Sequence, residues 1–171
     1  MDGQASWIDI LKTEFKLRVD QESKSKIVHC LDILSEDQYA FRFNEKCNSI
    51  GNLILHVCGN TRQYIMSTLN GEADVRQRSL EFSNPGPFQK QSLLELLENT
   101  LNEAIIVVDS LDENKLLGSY SVQVFKMTGI EILIHVIEHV SYHTGQIALI
   151  CKILSSQDLG FYNDRELDKG Q

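Results

Sequence analysis

Apolar residues recur along the chain in four stretches with the spacing of helix faces, and the last stretch is the most sustained. From Thr128 to Leu154, residues Ile130, Leu133, Ile134, Ile137, Val140, Ile147, Ile150 and Leu154 keep one broad stripe and never alternate as a strand would. Thr128 followed by Glu131 is a capping-box pattern, in which hydroxyl and carboxylate satisfy N–H groups that the first turn leaves unpaired. The spacing therefore predicts one buried helix over this stretch.

The other three stretches read in the same way. Ser6 with Asp9 opens a first helix to about Leu34, striped by Ile8, Leu11, Phe15, Val19, Ile27, Leu31 and Leu34 and bent at its polar middle, Asp20 to Lys26. Ser49 caps a second helix that Gly71 ends, with Ile50, Leu53, Ile54, Val57, Tyr64, Ile65 and Leu69 toward a core. The third helix runs from Ser92 to Leu111 on a face that includes Leu93, Leu97, Leu101, Ala104 and Val108. Between these lie a polar connection from Ser35 to Cys47 and a long aperiodic loop of about 71–91. A connector from Asp112 to Met127 follows the third helix, and its SYSVQVF segment reads as extended. The polar tail, about 158–171, is expected to fray. Four such helices make an all-α four-helix bundle within a single domain over 1–171. Every connection is long enough to cross an end of the bundle, so physics alone leaves the connectivity open.

The chemistry sits on the apolar faces. His135, His139 and His143 are spaced by one turn each, so neighbours differ by about 40° around the axis and about 6 Å along it. Two neighbours can reach one ion, but the outer pair, about 12 Å apart along the axis, cannot share one at Zn–N distances of about 2 Å. The helix thus offers a ligand pair and needs a third group. His56, amid the apolar face of the second helix, is the natural third, and Asn60 and Gln63 follow it on nearly the same face. Three neutral imidazoles leave an ion its full charge and an open position, at which water or a thiol is acidified. The alternative is that the histidines are packed core residues. Burying each ring costs unless both nitrogens find partners, which weighs against that alternative. His135-Val-Ile-Glu138-His139 also matches the HxxEH pattern of inverted zinc proteases, but a second protease subdomain has no room here. Glu-x-x-His pairs, which di-iron carboxylate bundles need, do not occur.

Composition narrows the function classes. With 171 residues, 42% hydrophobic and 23% charged, the chain has ordinary globular composition, and its formal charge of −8 disfavours a phosphate backbone as partner. No basic-then-apolar leader and no membrane-spanning apolar run is seen, so a cytoplasmic protein without membrane or nucleic-acid partners is expected. Cys30, Cys47, Cys58 and Cys151 form no CxxC pair and read as free, mostly buried thiols.

At HVIEHVSYHTGQI the chain resembles the DinB/YfiT-like superfamily of small metal-binding four-helix proteins, whose last helix carries H-x-x-x-H-x-G-Q. Here the motif is His139, His143, Gly145 and Gln146, with Tyr142 inside it, and SIGNLILHVCGN resembles the family's second helix with its single ligand at His56. The resemblance implies an up-down-down-up bundle, often a homodimer, with a divalent ion such as zinc or nickel on His56, His139 and His143. It selects the pair 139/143 over 135/139 and makes His135 a neighbour, with Asn60, Gln63, Tyr142 and Gln146 as pocket or supporting groups. Characterised relatives include S-transferases using bacillithiol, mycothiol or glutathione and a mycothiol-dependent isomerase. The resemblance thus implies a metal-dependent transferase acting on a small molecule with a low-molecular-weight thiol. The alternatives are a non-catalytic, metal-stabilised dimeric binding module and a metal-dependent hydrolase. One departure is Thr144, where many relatives carry arginine.

Overall fold

The computed structural model describes residues 5–163. Helix α1 is continuous over 7–33, as α-helical Trp7–Lys16, π-helical Leu17–Lys24 and α-helical Ser25–Ile33. Ser6 and Asp9 form the expected capping box at its start. Its polar middle is accommodated by π-helical winding: the Ser23 hydroxyl donates to the Arg18 carbonyl five residues back, at 2.7 Å. Helix α2, 50–69, repeats the device. Its α-helical part is Ile50–Thr61, its π-helical part Arg62–Leu69, and the Thr68 hydroxyl donates to the Gln63 carbonyl at 2.8 Å.

Two short helices, α3 (Arg78–Ser83) and α5 (Glu113–Leu117), flank the long helix α4 (Lys90–Ser110). The loop expected to lack structure therefore contains α3, and α4 begins ahead of the expected Ser92. There the Lys90 amide donates to Glu36 Oε1 at 2.7 Å, a start set by a residue far away in sequence. The SYSVQVF segment, read as extended, contains β1 (Ser119–Val122), a two-residue turn and the first residue of β2 (Phe125–Thr128), which pairs antiparallel with β1. Helix α6 (Gly129–Ser155) follows at once, capped reciprocally by Thr128 and Glu131.

Cross-helix contacts give the connectivity. Lys12 and Lys16 at the start of α1 reach Asp109 at the end of α4, and Asp32 near the end of α1 meets Lys90 at the start of α4, so these helices are antiparallel. Gly51 lies against Phe88 and Arg62 bonds Glu103, so α2 runs with α4. His56 faces His139 while Asn60 faces His135, so α6 runs against α2. The order is up-down-down-up, the four-helix arrangement that the family resemblance implies.

The buried side chains form one cluster drawn from all four long helices, with Phe15, Leu31, Ile54, Ile65, Leu97, Leu101, Val136 and Val140 fully enclosed. On α6 the buried face is Ile132, Leu133, Val136, Val140, Ile147, Ile150 and Cys151, and Ile134, expected inside, is exposed. The expected stripe was centred slightly off the true one because this helix is apolar on its flanks as well. The expected fraying at 158–163 is also corrected. Leu159 is buried, and Phe161 packs edge-on against His29 with its ring below Lys26. Residues 164–171 of the expected tail lie outside the described residues. Cys30, Cys58 and Cys151 are buried free thiols and Cys47 is half-buried. Among the described residues no helix is long and apolar enough to cross a membrane.

Candidate metal centre

Where α2 and α6 cross, the structure brings His56, His139 and His143 together and leaves His135 aside. One ligand atom of each of the three lies within 4.8 Å of the others. His139 Nε2 stands 3.0 Å from His56 Nε2, near the edge of about 3.3 Å that tetrahedral zinc with Zn–N bonds of about 2.0–2.1 Å would set. His56 and His143 are 6% and 9% exposed, and His139 is half-buried. His135, one turn earlier, stacks on Tyr64 with centroids 4.2 Å apart, and its Nε2 faces the Asn60 amide nitrogen at 3.4 Å.

Two of the three rings have their tautomer fixed from behind. His56 Nδ1 lies 2.7 Å from Glu81 Oε2, and His143 Nδ1 lies 2.7 Å from Gln146 Oε1. Both partners accept, so each Nδ1 donates, with Arg76 Nη2 also 3.2 Å from the His56 Nδ1, and in the neutral ring each Nε2 is left with its lone pair. His139 Nδ1 is buried and has no partner among the described residues. A cation on Nε2 of His139 would make that Nδ1 a donor, and Asn60 Oδ1 is a buried acceptor likewise without a partner on the facing helix.

The electrostatics favour the neutral ring for the three histidines of α6. Burial, followed by the neighbouring His143 and His56, pushes His139 down to about 3. Burial also lowers His143, against the opposing hydrogen bond to Gln146, and lowers His135. Three converging imidazoles are a donor set that could hold a divalent ion with a coordination position left open.

A second layer was not legible in the sequence. Burial raises the Glu81 carboxyl, but hydrogen bonds from Arg76 and His56 outweigh this and hold it below the usual carboxylate range. Arg76 donates through Nε to Glu81 Oε1 at 2.7 Å and through Nη2 to Oε2 at 2.9 Å, a bidentate pair. Gln63, expected beside the histidines, reaches them only through this pair: its Oε1 accepts from Arg76 at 2.9 Å and from Gln123 at 2.8 Å, while its Nε2 donates to Asp74 at 2.7 Å. Arg76 and Glu81 sit in the stretch read as an aperiodic loop, and no local pattern points them at His56. Tyr142 is exposed, with its ring edge-on to His143 at 5.0 Å. Glu138 of the HxxEH pattern is exposed and Thr144 is buried, its hydroxyl donating to the Val140 carbonyl.

Comparison with known proteins agrees with this architecture. A family model described as a protein of unknown function, DUF1572, matches residues 3–162. Comparison with curated proteins finds no match. A DinB-like protein of Bacillus subtilis, YjoA, superposes with a TM-score of 0.65 at 18% identity, covering 90% of this chain and 97% of that one. A DinB-like protein of Bacillus cereus superposes with a TM-score of 0.63 at 12% identity, covering 81% and 89%. At these identities the likeness establishes the fold, and fold and histidine cluster together are compatible with metal binding. The chain belongs to the DUF1572 family, and its fold is that of DinB-like proteins.

Proposed function

We propose that the chain is a metal-dependent transferase that uses a low-molecular-weight thiol, of the bacillithiol or glutathione kind, at a divalent ion held by His56, His139 and His143. The observation that supports it most is the convergence of three imidazoles from two antiparallel helices, two of them held through Nδ1 by Glu81 and Gln146. When bound, such an ion acts as a Lewis acid that lowers the pKa of a thiol at its open position toward neutrality. Zinc and nickel both suit an imidazole set.

The choice of a thiol over water has a physical support besides the family resemblance. Hydrolysis calls for a general base within reach of the reacting water. Glu81 touches the cluster, but both its oxygens are engaged by Arg76 and His56, and Glu138 faces solvent. A thiol supplies its own nucleophile and needs only to lose its proton. In this reading Gln146 orients His143, Asn60 faces His135 beside His139, and Tyr142 stands at the exposed rim where a small-molecule substrate enters. The protein acts as a cytoplasmic homodimer, with Leu149 on the outer side of α6, 60% exposed, within the contact.

The test is to load the purified protein with zinc or nickel and supply bacillithiol, mycothiol or glutathione with a chromogenic electrophile. A rate with one of these thiols that disappears on chelation and in His139→Ala supports the reading. No rate above the metal-free protein with any of them overturns it. The near-complete burial of His56 and His143 favours a second reading, a non-catalytic module whose ion ties α2 to α6. Azide or imidazole would then leave the visible spectrum of the cobalt-substituted protein unchanged.

A further inference from the structure

The strap between α2 and α4 is anchored by apolar contact only in its second half, where the Phe82 ring lies 4.6 Å from that of His56 and Phe88 is buried against Gly51. Residues 71–75 and 77–80 are all exposed, Val75 at 83% and Leu80 at 57%. A cavity of about 410 Å³ separates the strap from Leu55, Met66 and Leu96. Polar bonds hold its middle instead. Asn52 donates to the carbonyls of Glu81 and Asn84 at 2.9 and 2.8 Å, and Arg42 donates to that of Phe82 at 2.6 Å. At the centre of this set the Glu81 carboxylate is clamped between Arg76 and His56. Gly59 provides the space, since a Cβ there would stand 2.1 Å from Glu81 Oε1.

We propose that Glu81 is a positioning residue of the metal centre, and that closure of the strap and binding of a divalent cation are one coupled equilibrium. The proposal rests on the reading of His56, His139 and His143 as ligands. His56 cannot turn its Nε2 lone pair away from His139 without breaking its Nδ1–H bond to Glu81. A cation on Nε2 draws electron density from the ring and makes Nδ1–H a stronger donor, while the carboxylate makes the ring a better ligand. Arg76 keeps the carboxylate anionic and aligned, because its fork occupies both oxygens. Whatever the strap contributes to cation affinity, the cation must return to strap closure by reciprocity. Over residues 71–80, where apolar burial is lacking, this clamp is what ties the strap to α2.

The test is competition titration of zinc against a chromophoric chelator on wild type, Glu81→Gln and Gly59→Ala, with hydrogen exchange of strap peptides measured with and without zinc. Glu81→Gln keeps the shape and removes the charge, and is expected to weaken zinc about 10–100-fold, the usual cost of losing an outer partner of a ligating histidine. Gly59→Ala displaces the carboxylate without altering any group of the centre, and should weaken zinc in the same sense. Zinc should slow exchange of the strap amides in wild type and not in Glu81→Gln. A merely structural Glu81 would loosen the strap equally with and without zinc and leave affinity unchanged, which would overturn the proposal. Wild-type strap exchange indifferent to bound zinc would overturn it even if both variants failed to fold. A wild type that binds no zinc removes the ligand reading itself, and this proposal with it. Tight wild-type binding with unaltered variants removes this proposal alone.

Discussion

His56 and His139 meet nitrogen to nitrogen, Nε2 to Nε2 at 3.0 Å, across the crossing of α2 and α6. One ring must donate to the other across this contact, and in either case the buried Nδ1 of His139 is left without a partner among the described residues. Leaving such a group unsatisfied costs about 1–3 kcal/mol, an arrangement suited to a cation site and poorly suited to a core contact.

That geometry separates the ligands from their neighbour. His56→Ala, His139→Ala and His143→Ala are each expected to abolish stoichiometric zinc or nickel binding, measured by elemental analysis of protein still helical by circular dichroism. His135→Ala should retain the ion, since its ring is stacked on Tyr64 and turned to Asn60. Loss in His135→Ala with retention in His143→Ala would move the site one turn up α6.

The metal-free protein should lose stability as the pH falls from neutrality. His139 is held at about 3, well below its unfolded value of about 6.5, and His143 and His135 are lowered as well. Between those values the unfolded chain takes up protons that the folded chain refuses, so stability is full above the unfolded pKa and drains away below it. Each such proton contributes a slope of about 1.4 kcal/mol per pH unit. Glu81 acts in the same direction but below its unfolded pKa of about 4.5, so urea unfolding between pH 7 and 5 isolates the imidazoles. His139→Asn should flatten that slope by about one proton; an unchanged slope would refute the assignment.

Gly51 forms a seat for Phe88, where the strap enters α4. A Cβ at Gly51 would stand 2.3 Å from the Phe88 ring, so Gly51→Ala must expel it. Overpacking of this kind costs about 1–3 kcal/mol, read as a lowered urea midpoint with faster proteolysis within the strap. A midpoint unchanged within error would show that the ring has room to move.

Tyr39 closes the end of α1, its buried hydroxyl donating to the Leu31 and Leu34 carbonyls at 2.6 and 3.2 Å. Tyr39→Phe leaves the packing and strands those acceptors, for an expected loss of about 1–2 kcal/mol in chemical denaturation. The zinc stoichiometry should not change, since α1 contributes nothing to the centre.

Leu149→Glu addresses the proposed homodimer. Sedimentation should find a dimer for wild type and a monomer for the variant, with helicity intact. A wild type that sediments as a monomer at the highest concentrations tested would remove the dimer from the functional reading.

Much of the fold was written locally. Capping boxes at Ser6, Ser49 and Thr128 and the four apolar stripes specified where the long helices begin and which way they face, because caps and amphipathic faces depend on residues within a turn or two. The histidines on α2 and α6 were legible for the same reason, as polar residues standing on apolar faces. Ile134 was misplaced because a helix apolar on both flanks does not reveal which of them is central. Helix α3 escaped notice because a six-residue helix held by Asn52 and Arg42 has no periodicity to show.

The sequence by itself determined the helices, their buried faces and a set of histidines with one turn between neighbours. Helical spacing left open which turn of α6 meets His56, and although the family resemblance pointed to 139/143, the physical reason lies in where two helices cross and in the Tyr64 ring that occupies His135. Only the tertiary structure decided that Glu81, 25 residues along the chain, is the carboxylate behind the His56 ring. Helical periodicity is a property of neighbours along the chain. The path of an exposed strap is set by ion pairs and hydrogen bonds between distant residues, which no local pattern encodes.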